Sequence, residues 1–255
     1  MNDNRRGATV TIDGRSAAIA VFVLCLIVEI GLVLLDYFVN YGRLSQSAAV
    51  RRFANIARED GIASWFASTQ TLLVGLTAWI FWLGARADSS AAWRRRGWLL
   101  VAVLFTYMAV DDAAQLHERM GAALRSAWPV SFPTFMWHLA FAPIFAIAGI
   151  LAAVFLWREF GGGWSAWLLV AGFALFGFAV GLDFIEGLEP DHPWNVYAIF
   201  LRSGADGASI DSRQYETFLH FSRSVEEVAE MLGTTCIWTS LLSHLGAMPD
   251  IRFQS

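Results

Sequence analysis

The chain has 255 residues, of which 56% are hydrophobic and 16% are charged, and its mean hydropathy is +0.49. Soluble domains carry about a quarter charged residues, so this composition predicts an integral membrane protein. No basic tract suggests nucleic acid as a partner, and the net charge of −4 says little because the position of charges matters more than their total in a membrane protein. All 18 basic residues are arginines, which excludes retinal and other Schiff-base cofactors because these need a lysine amine.

The apolar residues come in blocks that approach the roughly 20 residues needed for a helix to cross a bilayer. They predict an all-α integral membrane protein, a bundle of about six transmembrane helices, with spans at 17–40, 64–85, 97–120, 134–157, 164–187 and 215–245. Residues 1–16 and 246–255 are then the N-terminal and C-terminal tails. In the first loop, apolar residues of the segment 47–60 follow helical spacing, which predicts a short interfacial helix on the membrane surface.

Arginine positions set the predicted orientation, because cytoplasmic loops of membrane proteins are enriched in Lys and Arg. Three arginines precede the first span, and four lie in the segment RADSSAAWRRRG between the second and third spans. Counted over all loops, the arginines divide almost evenly, with nine on the side of the N-terminus and eight on the other. These two clusters favour a cytoplasmic N-terminus in a bacterial-type inner membrane.

Ionisable residues are concentrated in one half of the predicted bundle. They lie at the ends of spans one, three and five and at the beginnings of spans four and six. Ends of odd spans and beginnings of even spans lie on the same side, so these residues converge in one leaflet, the periplasmic one in the favoured orientation. Since a charge within a span costs several kcal/mol, this convergence predicts a functional site.

Helical spacing selects the residues that face this site. Glu227 and Glu230 are i, i+3 neighbours in span six, and His220 lies on the same stripe as Glu227. In span three, Asp111 and Glu118 share a face. Carboxylates and imidazoles on facing helices are typical of metal sites in bundles. The predicted metal ligands are therefore Asp111, Glu118, His220, Glu227 and Glu230. The residues predicted to support them are Asp112, His117, Asp183, Glu186, Arg223 and Glu226.

The expected cofactor is a metal ion, namely iron, manganese or zinc. Haem is not favoured, because no pair of histidines faces each other across the predicted spans. The acidic spans lack the Glu-x-x-His spacing of ferritin-like di-iron bundles, and HExxH is absent, so catalytic residues are not assigned. The predicted function is a membrane oxidoreductase or hydrolase that acts on a hydrophobic or membrane-dissolved substrate such as a lipid or a quinone.

Two other functions fit the same residues. A protonatable carboxylate cluster beside Arg223 also fits a proton- or cation-coupled transporter, although the internal repeats typical of such proteins are absent. An accessory subunit of a larger membrane complex would use buried polar residues as contacts between helices, although the acidic groups outnumber what packing requires. The expected partners are the lipid bilayer and, for an accessory subunit, other membrane chains.

Three polar residues outside the predicted site have simpler interpretations. Asp36 is expected to mark the water interface at the end of span one. His138 fits an interfacial histidine with satisfied hydrogen bonds as well as it fits a ligand. Glu29, alone in the apolar stretch VLCLIVEIGLV, is predicted to be either protonated or bonded to a neighbouring helix.

Overall fold

The structure is a computed structural model that describes residues 14–87, 92–128, 132–203 and 211–246. These residues form helices joined by short loops, and none of them lies in a β-strand. The prediction of an all-helical protein is therefore confirmed for the part of the chain that is described. The predicted tails, 1–16 and 246–255, lie outside the described residues except where they adjoin the first and last helices.

Ten α-helices occur within the described ranges. They are α1 (Gly14–Leu35), α2 (Ala48–Ala54), α3 (Ile62–Ala87), α4 (Ala92–Ala114), α5 (Leu116–Ala127), α6 (Met136–Ala140), α7 (Ala142–Phe160), α8 (Trp164–Glu186), α9 (Val196–Ser203) and α10 (Ser212–Gly246). α1 continues into a π-helical turn at Asp36–Tyr41.

Five helical segments are long and apolar enough to cross a membrane. They are Gly14–Tyr41, Ile62–Ala85, Ala92–Ala114, Ala142–Phe160 and Trp164–Glu186. These segments overlap the first five predicted spans. The sixth predicted span, 215–245, coincides with α10, which is more polar than the other five.

Two predicted spans differ from the helices of the structure. The span at 97–120 is divided, because α4 ends at Ala114 and Gln115 adopts a left-handed backbone conformation (φ 53°, ψ 43°) before α5 begins. The span at 134–157 is also interrupted, since Phe141 separates the short helix α6 from α7. Both interruptions lie at the end of the bundle that carries the polar residues, and hydrophobicity alone does not reveal them.

α10 is the central helix and packs against α1, α3 and α8. Two glycines bring α8 and α10 together, since a Cβ built on Gly172 would lie 2.8 Å from the carbonyl oxygen of Gly233. The same Cβ would lie 2.6 Å from Cγ1 of Ile237. Contacts between small residues allow helices in membranes to approach closely.

One carboxyl group lies in the middle of the bundle, between α1, α3 and α10. Glu29 is 3% exposed and accepts hydrogen bonds from Oγ1 of Thr235 at 2.5 Å and from Nε2 of Gln70 at 3.1 Å. Gln70 also donates to Thr235 at 2.8 Å. Of the two interpretations of Glu29, the structure therefore supports a bond to neighbouring helices.

An apolar core fills the half of the bundle away from the predicted site. Trp98, Phe105 and Leu156 are almost completely buried there, and Trp98 stacks on Phe81 with ring centroids 4.2 Å apart. By contrast, the outer faces of α1 and α7 are uncovered: Ile27, Ile144, Ile147 and Ile150 are 61% to 63% exposed. Large uncovered apolar faces mark contacts with a membrane or with a partner.

A short helix is present in the first loop, as the sequence predicts. The side chain of Ser47 caps α2 by accepting a hydrogen bond from the backbone N–H of Val50. Ala54 and Ile56 are buried against the bundle, whereas Val50 and Phe53 are exposed. The exposed pair gives α2 an apolar outer face.

We expect Gly172→Ala to destabilise the bundle, because the added methyl group would overlap the carbonyl of Gly233 and the side chain of Ile237. Overpacking of this kind costs about 1–3 kcal/mol and should lower the midpoint of thermal unfolding in detergent. Gly177→Ala on the same helix is the matched control, since a Cβ there meets nothing within 4 Å. Equal midpoints for the two variants would contradict a close contact between α8 and α10.

Candidate functional site

A single carboxylate stabilises the break between α4 and α5. Asp111 is buried; it accepts a hydrogen bond from the backbone N–H of His117 at 2.9 Å, and its other oxygen lies 2.8 Å from Nδ1 of the same residue. A non-glycine residue in the left-handed conformation, here Gln115, costs about 1–2 kcal/mol. Hydrogen bonds to a charged acceptor are stronger than neutral ones, so these two contacts offset that cost. The interaction of Asp111 with His117 therefore stabilises the break between α4 and α5.

Eight carboxyl groups from distant parts of the sequence approach one another at this end of the bundle. This acidic cluster consists of Glu59, Asp112, Glu118, Asp183, Glu186, Glu226, Glu227 and Glu230. The loop before α3, the helices α4 and α5, the end of α8 and the first half of α10 each contribute to it. The arrangement brings together the ends of odd spans and the beginnings of even spans.

Glu227 and Glu230 hold the central positions of the acidic cluster. The carboxyl group of Glu227 interacts electrostatically with those of Glu230, Asp112, Glu59 and Glu186. Glu230 also interacts with Asp112, on the facing helix α4. Like charges this close together repel one another and are neutralised only by protons or by cations.

Arg223 supplies a positive charge at the edge of the cluster. Its Nε donates a hydrogen bond to Oε2 of Glu186 at 2.9 Å. Glu186 is buried, whereas the side chain of Arg223 stays 47% exposed. His117 is a second basic side chain near the carboxyl groups, because it interacts electrostatically with Asp112 and with other members of the cluster. The carboxyl groups greatly outnumber these two bases.

Glu59, in the loop between α2 and α3, shares a hydrogen bond with Glu118. Burial, reinforced by the neighbouring carboxylate of Glu118, raises the pKa of Glu59 to about 8, although Gln115 and His117 oppose the shift. Glu59 is therefore mainly protonated at neutral pH and donates its proton to the hydrogen bond. One of the eight carboxyl groups is thus neutral without a cation.

His220 lies against Asp36, at the end of α1. Nε2 of His220 is 3.0 Å from Oδ2 of Asp36, and the ring stacks on Tyr41 with centroids 6.0 Å apart. Asp36 is 3% exposed and also accepts hydrogen bonds from Nδ2 of Asn40 and from the backbone N–H of Ile56. The carboxylate of Asp36 is therefore a buried acceptor that joins the end of α1 to α10, while its expected position at the water interface stays a prediction.

The five predicted metal ligands fall into three groups. Glu227 and Glu230 lie together at the centre of the acidic cluster. Glu118 is exposed and lies at the edge of the cluster, beside Glu59. Asp111 and His220 do not join them, because each is held in a separate histidine–carboxylate pair. Of the predicted supporting residues, Asp112, Asp183, Glu186 and Glu226 belong to the cluster, and His117 and Arg223 border it.

Glu59 is the member of the cluster that the sequence prediction omits. Glu59 lies shortly before Ile62, where α3 begins. Because α3 corresponds to the second predicted span, Glu59 also lies near the beginning of an even span, as the other carboxyl groups lie at ends of odd spans or beginnings of even ones. Its place in the charged stretch ARED instead resembles a solvated loop. In the described ranges, no three histidine, cysteine, aspartate or glutamate side chains already stand close enough together to hold a metal ion.

The fold and the site define a class: a helical protein with five apolar helices of membrane-spanning length and a carboxylate-rich group of side chains at one end. Residues 17–245 match a family described as Domain of unknown function (DUF8692). Because the match covers most of the chain, the protein belongs to this family. No curated protein and no solved structure matches the chain.

We expect Glu59→Gln to change how stability depends on pH. In the parent, unfolded Glu59 ionises near its ordinary pKa of 4.5, whereas folded Glu59 keeps its proton until about pH 8. The folded state binds more protons between these values, so the free energy of unfolding falls as the pH rises, by at most about 1.4 kcal/mol per pH unit. Glutamine does not titrate.

The thermal midpoint of the parent should therefore fall relative to Glu59→Gln by several degrees between about pH 5 and about pH 8. Thermal unfolding in detergent across this range measures the effect. Glu189→Gln removes an exposed carboxyl group from the loop after α8 and should follow the parent. Parallel curves for the parent and Glu59→Gln would show that Glu59 ionises normally.

Proposed function

We propose that the protein is a multi-pass protein of a bacterial-type inner membrane, crossed by α1, α3, α4, α7, α8 and α10. Five of these helices have the length and composition for this role, and a bilayer would cover the exposed apolar faces of α1 and α7. α10 is surrounded by α1, α3 and α8, which accounts for its more polar sequence. The arginine clusters favour a cytoplasmic N-terminus, which would put the acidic cluster on the periplasmic side and α2 on the membrane surface there.

We further propose that the acidic cluster binds a metal ion and that the protein is a metal-dependent membrane enzyme. The observation that carries this proposal is the excess of carboxyl groups over bases in a partly buried site. Glu186 is neutralised by Arg223, and Glu59 and Glu118 share a proton. The groups that remain at the centre must be neutralised by protons or by a cation, and a bound metal ion would supply the positive charge.

The residues that would hold this ion are Glu227, Glu230 and Asp112. Glu227 and Glu230 are i, i+3 neighbours on α10, and Asp112 faces them from α4. Three carboxylates offer only oxygen ligands, which suit manganese or iron(II) better than they suit softer ions. A bound ion of this kind polarises a substrate oxygen or takes part in electron transfer.

A hydrophobic or membrane-dissolved substrate, such as a lipid or a quinone, fits the position of the site. The first half of α10 carries the acidic residues, and exposed aromatic side chains surround this part of the helix. Phe218, Phe221 and Tyr41 are 37% to 47% exposed, and Tyr41 contacts Phe221 with ring centroids 4.9 Å apart. Exposed aromatic rings at a membrane surface can guide an apolar molecule towards the carboxyl groups.

One observation favours a second function, proton-coupled transport. The hydrogen bond between Glu59 and Glu118 requires a shared proton, so at least part of the cluster is neutralised by a proton and not by a metal ion. A transporter would use the whole cluster in this way. The two functions differ in whether metal is bound at the centre.

The deciding experiment is elemental analysis of the protein purified in detergent. We expect the parent to retain manganese or iron after mild chelation, and Glu227→Gln and Asp112→Asn to lose it while remaining folded and inserted. Glu216→Gln is the matched control, because Glu216 is exposed and lies on the same helix. It should retain as much metal as the parent.

Metal that persists in Glu227→Gln and Asp112→Asn would overturn this assignment of the ligands. A parent without manganese or iron after several purification conditions would overturn the metal-dependent enzyme. Proton flux into proteoliposomes that Glu227→Gln abolishes would then favour the transporter.

A further inference from the structure

A small groove lies between α1 and α10 on the outer surface of the bundle, and its volume is about 150 Å³. Six aliphatic side chains line it, namely Leu26, Ile30, Val33 and Leu34 from α1 and Val228 and Leu232 from α10. Ile30, Val33 and Leu34 are 37% to 51% exposed, so the groove opens outwards. In the proposed membrane it opens to the lipid.

Glu29 is the polar residue among those that line the groove. Its Oε1 accepts the hydrogen bonds from Thr235 and Gln70, and within the described part of the chain no hydrogen bond involves its Oε2. Glu29 is 3% exposed, so water hardly reaches this second oxygen. A buried polar atom without a protein partner requires an explanation, and a ligand in the groove supplies one.

The contacts of Glu29 fit the neutral form of its carboxyl group. None of the described arginines and histidines forms an ion pair with it, and an unpaired charge within a span costs several kcal/mol. A neutral carboxyl group has one acceptor oxygen and one oxygen that carries the proton. Because Oε1 accepts both hydrogen bonds, the proton lies on Oε2, which donates towards the groove. The matching ligand offers an acceptor such as a carbonyl oxygen.

The depth of Glu29 in the membrane limits which carbonyl groups can reach it. Glu29 lies about 22 Å from Gly14 and about 18 Å from Tyr41 along the first membrane-length segment. It is therefore near the middle of a hydrocarbon layer that is about 30 Å thick. The ester carbonyls of phospholipids lie at the edges of that layer, so the acceptor belongs to a molecule that dissolves within it.

We propose that the groove binds the head group of a membrane-dissolved quinone, and that Oε2 of Glu29 donates a hydrogen bond to a quinone carbonyl oxygen. An apolar cavity of about 150 Å³ holds one benzene ring, so the ring of a benzoquinone fits this groove. The open side lets the chain of the quinone extend into the bilayer. A lipid acyl chain would also fill the groove but would leave Oε2 without a partner.

This site is a neighbour of the acidic cluster but is separate from it. Thr235, which bonds to the carboxyl group in the groove, follows Glu230 by about 7.5 Å along α10. Val228 is rotated from Glu227 by about 100° around the helix, so the groove and the cluster lie on different faces. The inference names a quinone as the substrate class of the proposed function, and it rests on the proposed membrane insertion but not on a bound metal ion.

The test is the retention of a benzoquinone with a decyl chain by the full-length protein in detergent, measured by extraction and ultraviolet absorbance after gel filtration. We expect the parent to retain the quinone and Val33→Trp, whose indole fills the groove, to retain roughly 10-fold less. Val23→Trp is the matched control, because Val23 is an exposed valine of α1 that does not line the groove. Both variants should keep the metal content of the parent, which separates a failure here from a failure of the proposed metal site.

Infrared difference spectra of the parent with the same quinone, labelled at its carbonyl carbons, decide the matter even where a variant fails to fold. The hydrogen bond from Glu29 should lower the frequency of a quinone carbonyl stretch relative to the quinone in detergent alone. Glu29→Gln keeps an N–H donor and should keep a smaller shift, whereas Glu29→Leu should lose the shift.

Three results would overturn the proposal: no retention by the parent, a carbonyl band at the frequency of the free quinone, or equal retention by Val33→Trp and Val23→Trp. Each would leave a lipid acyl chain as the occupant of the groove.

Discussion

An ionisable side chain inside an apolar bundle must find a partner, and the arrangement of this protein depends on that requirement. Where partners are available within the bundle, the structure uses them: Glu29 is bonded by Gln70 and Thr235, and Asp36 by His220. The remaining carboxyl groups are collected at one end of the bundle, where they lie close to one another. Because helices alternate in direction, residues at the ends of odd spans and the beginnings of even spans are brought together automatically.

α10 carries carboxyl groups of the acidic cluster and also a glycine that packs closely against α8. Its middle part contributes Glu227 and Glu230 to the acidic cluster, and Gly233, shortly after them, lies directly against Gly172 of α8. Gly233 follows Glu230 by about 4.5 Å along the helix axis. This close contact between α8 and α10 is therefore less than one turn from Glu230.

The helices and the location of the site follow from features that the sequence displays directly. Blocks of apolar residues have the length that a bilayer requires, and helix order alone brings the charged ends together. The break at Gln115 was not predictable in this way, because it depends on two contacts between Asp111 and His117 that hydrophobicity does not register. The separation of His220 from Glu227 was not predictable either. Both residues lie on one stripe of α10, but His220 pairs with Asp36, which belongs to the π-helical turn after α1.

Asp183 couples the two halves of the polar region. It interacts electrostatically with Glu226 and Glu230 of α10, and it lies 3.4 Å from the ring of His138 on the other side. Asp183 is therefore the residue at which the polar side chains of α6, α8 and α10 meet, and the charge on its carboxylate influences both of its neighbours.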